Sequence, residues 1–505
     1  MPLLTIDDRE IEVPDGTTIL QAARALAIDI PVFCHHDSLS TVASCRMCLV
    51  EVEGTASPVQ SCAAKAEAGM VVRTTSPLAL EARGSVLASL LADHPRDCPV
   101  CDSAGECALQ TNYFRHGAGS ARSRPSEHHC KAPTVIGENV LLHQERCINC
   151  SRCIRFCQEV SKSNQLVQAL AGQRSVAGLS PGRSFTDPYS LCTVDLCPSG
   201  ALSSRDFRFR QPAWVLEQTP SICPECSRGC ALTVCHAGNT IYRLQPRYAP
   251  LVNGWWACDA GRLAYPKYGS DRVTRGYVGL RTDEELLLPP MAAALAGGRW
   301  LQTEISAGGQ VALVLDGCLS LEEAFAVFSF ARQFVGTDEA FLGLLPDGTG
   351  DSLLRNPQPA ANARGLAHLA RRCGIELLPA AGLFAEHRQW GAVVCFGAEV
   401  ELPRPDQPDQ AGRVLLFAWR HNQVTRIAHT LVPLAAHFEK GGSYVNFAGV
   451  VQPATAALQP PPGIVSLPLM LRQMALQSGV LLDYTGAKDL SEKALAEFVI
   501  REDIP

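Results

Sequence analysis

The sequence predicts α+β modules over the first half of the chain and an α/β domain with a parallel sheet over the rest. Three observations predict it. Hairpin-and-helix patterning opens the chain, cysteines crowd the first half, and strands alternate with helices beyond about residue 270. A chain of 505 residues is long enough for several domains.

The elements follow in order. Leu3-Leu4-Thr5-Ile6, a turn at Asp7-Asp8 and Ile11-Glu12-Val13 read as a hairpin. Thr18 to Ala27 reads as a helix with Ile19, Ala22, Ala23 and Leu26 on one face. Hairpin, helix and a cysteine loop fit a small ferredoxin-type fold over residues 1–75. From 76 to about 265 regular structure is sparse and cysteines punctuate it, so bound clusters are expected to help hold this region together. Val311 to Leu315 is a strand that runs through Asp316-Gly317 into a helix from Leu319 to Phe334. Val393 to Phe396 and Val414 to Phe417 are further strands, and Pro460-Pro461-Pro462-Gly463 marks a turn before a final helical pair.

Composition excludes several classes. Lys plus Arg is 44 against 50 Asp plus Glu, a net charge of −6, which argues against a dedicated nucleic-acid or anionic-membrane binder. The longest apolar stretch, Leu286 to Gly298, is too short to span a membrane and is broken by Pro289 and Pro290. The opening residues lack a basic region followed by an apolar core, so a cytoplasmic location is expected. The stretch Pro346-Asp347-Gly348-Thr349-Gly350 reads as a turn without the spacing of a phosphate loop, and no nucleophile stands beside a base. No substrate-converting site is expected on this chain.

The cysteines carry the chemistry. Of 22, all but Cys318, Cys373 and Cys395 lie between Cys34 and Cys258. Clustered thiols in a large chain without a secretion signal read as metal ligands rather than disulfides. The first set is Cys34, Cys45, Cys48 and Cys62. A C-x2-C pair with flanking single cysteines suits a [2Fe–2S] centre, with Cys45 and Cys48 on one iron and the outer pair on the other; a zinc site is the alternative. The second set is His94, Cys98, Cys101 and Cys107, in which three cysteines leave a cubane one ligand short and His94 is the obvious fourth. An imidazole in place of a thiolate makes the cluster less negative and raises its potential.

The third set is Cys147, Cys150 and Cys153 with Cys197-Pro198, the bacterial ferredoxin run with a distant fourth ligand. Cys157 is the rival for that place, and Arg146, Arg152 and Arg155 either offset the cluster's charge or are ordinary solvated arginines. The fourth set is Cys223, Cys226, Cys230 and Cys258, for which a zinc ribbon is the alternative. Cys130, Cys157, Cys192, Cys235, Cys318, Cys373 and Cys395 remain and read as small apolar residues.

With these motifs the chain resembles the large iron–sulfur subunit of bacterial NADH–quinone oxidoreductase, the respiratory complex I family. The carrying residues are Cys45-Arg46-Met47-Cys48, Cys98-Pro99-Val100-Cys101, Arg146-Cys147-Ile148-Asn149-Cys150-Ser151-Arg152-Cys153 and Asp195-Leu196-Cys197-Pro198-Ser199-Gly200. The resemblance implies one [2Fe–2S] and two [4Fe–4S] clusters on an electron path. It implies a further [4Fe–4S] cluster at Cys223, Cys226, Cys230 and Cys258, off that path.

His429 to Ala435 and Phe438 to Asn446 resemble the family's molybdopterin-oxidoreductase-like domain, here shortened, with no molybdopterin expected. The implied modules are 1–75, 76–120, 121–215, 216–270 and 271–505: ferredoxin-type iron–sulfur modules, then the α/β domain. The implied partners are the flavin-bearing NADH-binding subunit and downstream iron–sulfur subunits of the peripheral arm, on the cytoplasmic side of the membrane. A relay subunit of a soluble NAD-linked hydrogenase or formate dehydrogenase is the rival.

Overall fold

The structure is a computed structural model. It describes all residues except 118–131, 171–174, 281, 283, 344–346, 386–387, 401, 403–410, 497 and 499–505. Cys130 and Pro346 therefore lie outside the described residues. The chain packs as two compact units that divide between Leu216 and Glu217.

In the first unit the hairpin forms between Leu3–Ile6 and Arg9–Glu12. Asp7 and Asp8 both take positive φ (46° and 64°), the backbone a two-residue hairpin turn needs. The helix is Ile19–Ala25. Its N-cap Thr18 accepts from Gln21 N, while the Gln21 side chain reaches back to the Thr18 N–H. With Leu49–Val52, Val59–Gln60 and Val71–Arg73 the hairpin completes a five-stranded sheet. Leu4, Ile6, Ile19, Ala23, Val50 and Val72 form its core. The rest of the unit has short elements: the helix Pro77–Asp93, the helix Ala108–His116, and short helices at Arg152–Arg155 and Ser190–Leu196.

The second unit opens with an antiparallel three-stranded sheet, Glu217–Ile222, Ala231–Ala237 and Thr240–Pro246. An eight-stranded sheet follows. From one edge its order is Glu376–Pro379, Glu339–Gly343, Val311–Asp316, Ala392–Phe396, Arg413–Ala418 and Thr430–Pro433, all parallel. In chain order these six strands run 3-2-1-4-5-6, a doubly wound arrangement whose direction of growth reverses between Val311–Asp316 and Ala392–Phe396.

The expected parallel sheet is mixed, because Gly276–Val278 and Leu286–Leu288 extend it as an antiparallel pair. The apolar run from Leu286 thus splits into a strand and the helix Pro290–Ser306, with Pro290 at the first helical position, where its missing N–H costs nothing. The expected final helical pair is Leu467–Gln477 and Ala487–Leu495. Among the described residues no helix is long and apolar enough to cross a membrane.

Candidate metal centres

The first set lies where the five-stranded sheet meets its long cysteine loop. Cys34, Cys48 and Cys62 are buried and Cys45 is half-buried. The thiols stand in two pairs. Cys34 N donates to Cys45 Sγ at 3.4 Å, and Cys48 Sγ lies 3.3 Å from Cys62 Sγ. In each pair the mate's hydrogen bond draws one thiol down against burial, Cys34 to about 5 and Cys48 to about 7. The expected sharing of one iron by Cys45 and Cys48 is not what the geometry favours. Cys45 is hydrogen-bonded with Cys34 and Cys48 with Cys62, so each inner sulfur faces an outer one, with Arg46 at a positive φ of 59° and Met47 fully buried between them.

The second set is assembled from two helix ends. His94 ends the helix Pro77–Asp93 in an extended conformation, as a residue before proline tends to. Cys107 caps the helix Ala108–His116, its Sγ accepting from Gln110 N at 3.5 Å. Burial lowers His94 to about 4, so the ring is neutral, and its Nδ1 is buried without a partner. A neutral imidazole with an unused buried nitrogen is what a metal ligand requires. Burial also raises the Cys101 and Cys107 thiols, a cost that a bound cation relieves. Gly200 closes the site: a Cβ there would stand 2.2 Å from Cys101 Sγ.

The third set rings an apolar hollow of about 540 Å³, mouth included. Cys147, Cys150, Cys153 and Cys197 line it with Ile148, Ile154, Leu166 and Pro198. Burial pushes Cys150 up to about 12 and Cys153 well above the usual thiol range. Cys157 does not line the hollow. Burial raises it to about 11, and its thiol is instead hydrogen-bonded with Ser163 and Ser161.

The arginines of this run are not solvated. Arg146 and Arg155 are each 4% exposed. Arg146 pairs with Asp97 of the second set's loop, with Nε 3.2 Å from Oδ1. Arg152 and Arg155 reach the first set's loop, and Glu159 accepts there from Ser40 N at 2.8 Å. Sequence reading missed this stitching. Basic residues placed inside a cysteine run were its only visible signal.

The fourth set stands in the second unit. Cys223 N donates to Cys230 O at 2.8 Å, and Cys258 caps the turn Asp259–Arg262. All four cysteines line a hollow of about 630 Å³, mouth included, with Leu232, Gly261 and Arg355. A Cβ on Gly261 would come within 2.9 Å of Cys223 Sγ. Cys318 lies outside this hollow, at the carboxyl end of Val311–Asp316 beside the sheet's reversal point, its Sγ 3.5 Å from Pro224 O. Among the described residues no three His, Cys, Asp or Glu side chains converge tightly enough to clasp a single metal ion.

Four family models match along the chain. They are a 2Fe-2S iron-sulfur cluster binding domain over 3–77, the NADH-ubiquinone oxidoreductase-G iron-sulfur binding region over 83–122, the ferredoxin-like domain of NADH-quinone oxidoreductase subunit 3 over 137–203, and the molybdopterin oxidoreductase Fe4S4 domain over 216–267. The G-type subunit of NADH-quinone oxidoreductase from Streptomyces coelicolor is 38% identical over 343 residues, 66% of this chain and 40% of that protein. The iron–sulfur region belongs to the family of NADH-quinone oxidoreductase G-type subunits. The G-type subunit from Mycobacterium tuberculosis is 37% identical over 67% of this chain and 42% of its own length. A G-type subunit from Rhizobium meliloti is 39% identical over 54% of this chain and 32% of its own length. The chain thus spans about two fifths of the length of the relatives it matches over the longest stretch. A chain of an NAD+-reducing [NiFe]-hydrogenase is 28% identical over 42% of this chain and 91% of that one, at a TM-score of 0.38, too loose to speak to the fold.

Proposed function

We propose that this chain is the iron–sulfur electron relay of an NADH–quinone oxidoreductase, passing electrons from a flavin-bearing partner towards quinone. One observation carries the reading: the first three sets are immediate neighbours. Cys107 Sγ of the second set is 3.6 Å from Pro198 O, one residue beyond Cys197 of the third. Arg155 donates to both Cys34 O of the first and Cys150 O of the third. The third set thus touches both others, and Phe33 and Met47 of the first loop pack against Leu87 and Leu109 beside the second.

The proposed ligands are Cys34, Cys45, Cys48 and Cys62 for a [2Fe–2S] cluster, and three sets for [4Fe–4S] clusters. Those sets are His94, Cys98, Cys101 and Cys107; Cys147, Cys150, Cys153 and Cys197; and Cys223, Cys226, Cys230 and Cys258. Bound there, the clusters supply one-electron carriers. The chain's residues hold them near one another, exclude water with Phe33, Met47, Leu87 and Leu109 between the loops, and tune their potentials. The fourth set is assigned off the path, and the domain beyond residue 270 to a molybdopterin-oxidoreductase-like fold. The proposed partners are the flavin-bearing subunit and downstream iron–sulfur subunits, on the cytoplasmic face of the membrane.

Anaerobically purified full-length protein should contain iron and acid-labile sulfide, and show EPR signals of one [2Fe–2S] and three [4Fe–4S] clusters on reduction. Isolation from native cells should bring the flavin subunit with it. A colourless zinc protein overturns the cluster assignment, and isolation with a hydrogenase or formate dehydrogenase overturns the assignment to the complex. In a His94→Cys variant the second cluster should persist with a lower midpoint potential, because a thiolate adds negative charge where a neutral imidazole stood. An unchanged potential would remove His94 from the ligand set.

A further inference from the structure

Two arginines lie between the first and third sets. Arg155, 4% exposed, donates to Cys34 O and Ser40 O of the first loop and, at 3.3 Å, to Cys150 O of the third. Arg152 donates to His35 O of the first loop and, at 3.3 Å, to Leu196 O, the residue before Cys197. Its Nε is buried and has no partner. The carboxylate of Glu159 accepts from Ser40 and also acts on Arg155, from a half-buried position. Thiols of both sets act on Arg152, Cys150 first and then Cys34 and Cys45, beside Arg155 and the His35 and His36 rings.

Arg146 is the contrast within the same unit, since its guanidinium is neutralised by Asp97. Two adjacent buried guanidiniums satisfied chiefly by neutral carbonyls are costly unless anions stand beside them. Clusters held by four thiolates are net anions, and the first and third sets supply one on each side.

Resting on the relay reading, we propose that Arg152 and Arg155 form a cationic bridge between the first and third clusters, fixing the spacing of the two loops and raising both reduction potentials. They are positioning residues, acting by charge and by their grip on backbone carbonyls. A fixed cation stabilises whichever form of a neighbouring cluster carries more negative charge, which is the reduced form. Because the bridge faces both sets, its removal shifts both in the same direction.

The test is an EPR-monitored redox titration of the anaerobic full-length protein and its Arg155→Gln, Arg155→Lys and Arg152→Gln variants, with iron and sulfide counted first. Wild-type protein lacking cluster iron and sulfide sinks the relay reading itself. With clusters present, both Gln variants should lower the first and third midpoint potentials and move the second less, while Arg155→Lys stays near wild type. If Arg155→Gln does not fold, Arg152→Gln, at a less buried position, decides. Gln variants with full cluster content and unshifted first and third potentials overturn the bridge. So does an equal shift of all three clusters, or a Lys variant that shifts as far as Gln.

Discussion

A Cys197→Ser variant should lose the iron and sulfide of one [4Fe–4S] cluster, while Cys157→Ser keeps all of it. The two cysteines compete for one role, and packing separates them. Cys197 follows the helix Ser190–Leu196 and lines the hollow shared with Cys147, Cys150 and Cys153. Its neighbourhood is braced by Ser199 Oγ, which donates to Arg146 O at 2.7 Å. The Cys157 thiol is occupied by Ser161 and Ser163 on the far side of its own turn. A serine hydroxyl at 157 takes over those hydrogen bonds, whereas at 197 it offers a poor donor to iron. Iron and sulfide quantitation with low-temperature EPR reads the difference. Loss of a cubane from Cys157→Ser, with Cys197→Ser intact, reverses the assignment.

Gly200→Ala should disrupt the second set directly, through a single added methyl. The added carbon would stand 2.2 Å from Cys101 Sγ and 3.5 Å from Arg146 Cδ. The backbone cannot retreat easily, because His143 N donates to Ala201 O at 2.7 Å and Leu202–Ser204 pairs with Val140–Leu142. The sulfur must yield instead, so the second cluster should be lost or spectrally altered. Overpacking of this kind costs about 1–3 kcal/mol of stability. Gly382→Ala, far from the cysteine sets in sequence and with nothing within 4 Å of the added methyl, serves as the control. A Gly200→Ala protein with an unaltered second-cluster signal and an unchanged denaturation midpoint would refute this account of the site.

What was legible in the sequence was local. The Asp7-Asp8 hairpin and the helix after Thr18 depend on residues within a few positions, and both formed, with the second strand at Arg9–Glu12 and the helix at Ile19–Ala25. The strand Val311–Asp316 and the helix after it were equally plain. The thiol pairing in the first set was not, because it turns on the backbone at Arg46. The antiparallel edge of the large sheet was hidden inside an apolar run that two prolines divide between strand and helix. The arginines stayed open between offsetting cluster charge and ordinary solvation for a different reason. Their carbonyl partners lie far along the chain, and no periodicity within a short window registers such a contact.

The long loop between Cys34 and Cys45 is closed by Arg152, Arg155 and Glu159, some 115–121 positions downstream. During synthesis at about 5–20 residues per second, the first metal-binding pocket therefore stays uncovered for on the order of ten seconds after its own residues leave the ribosome.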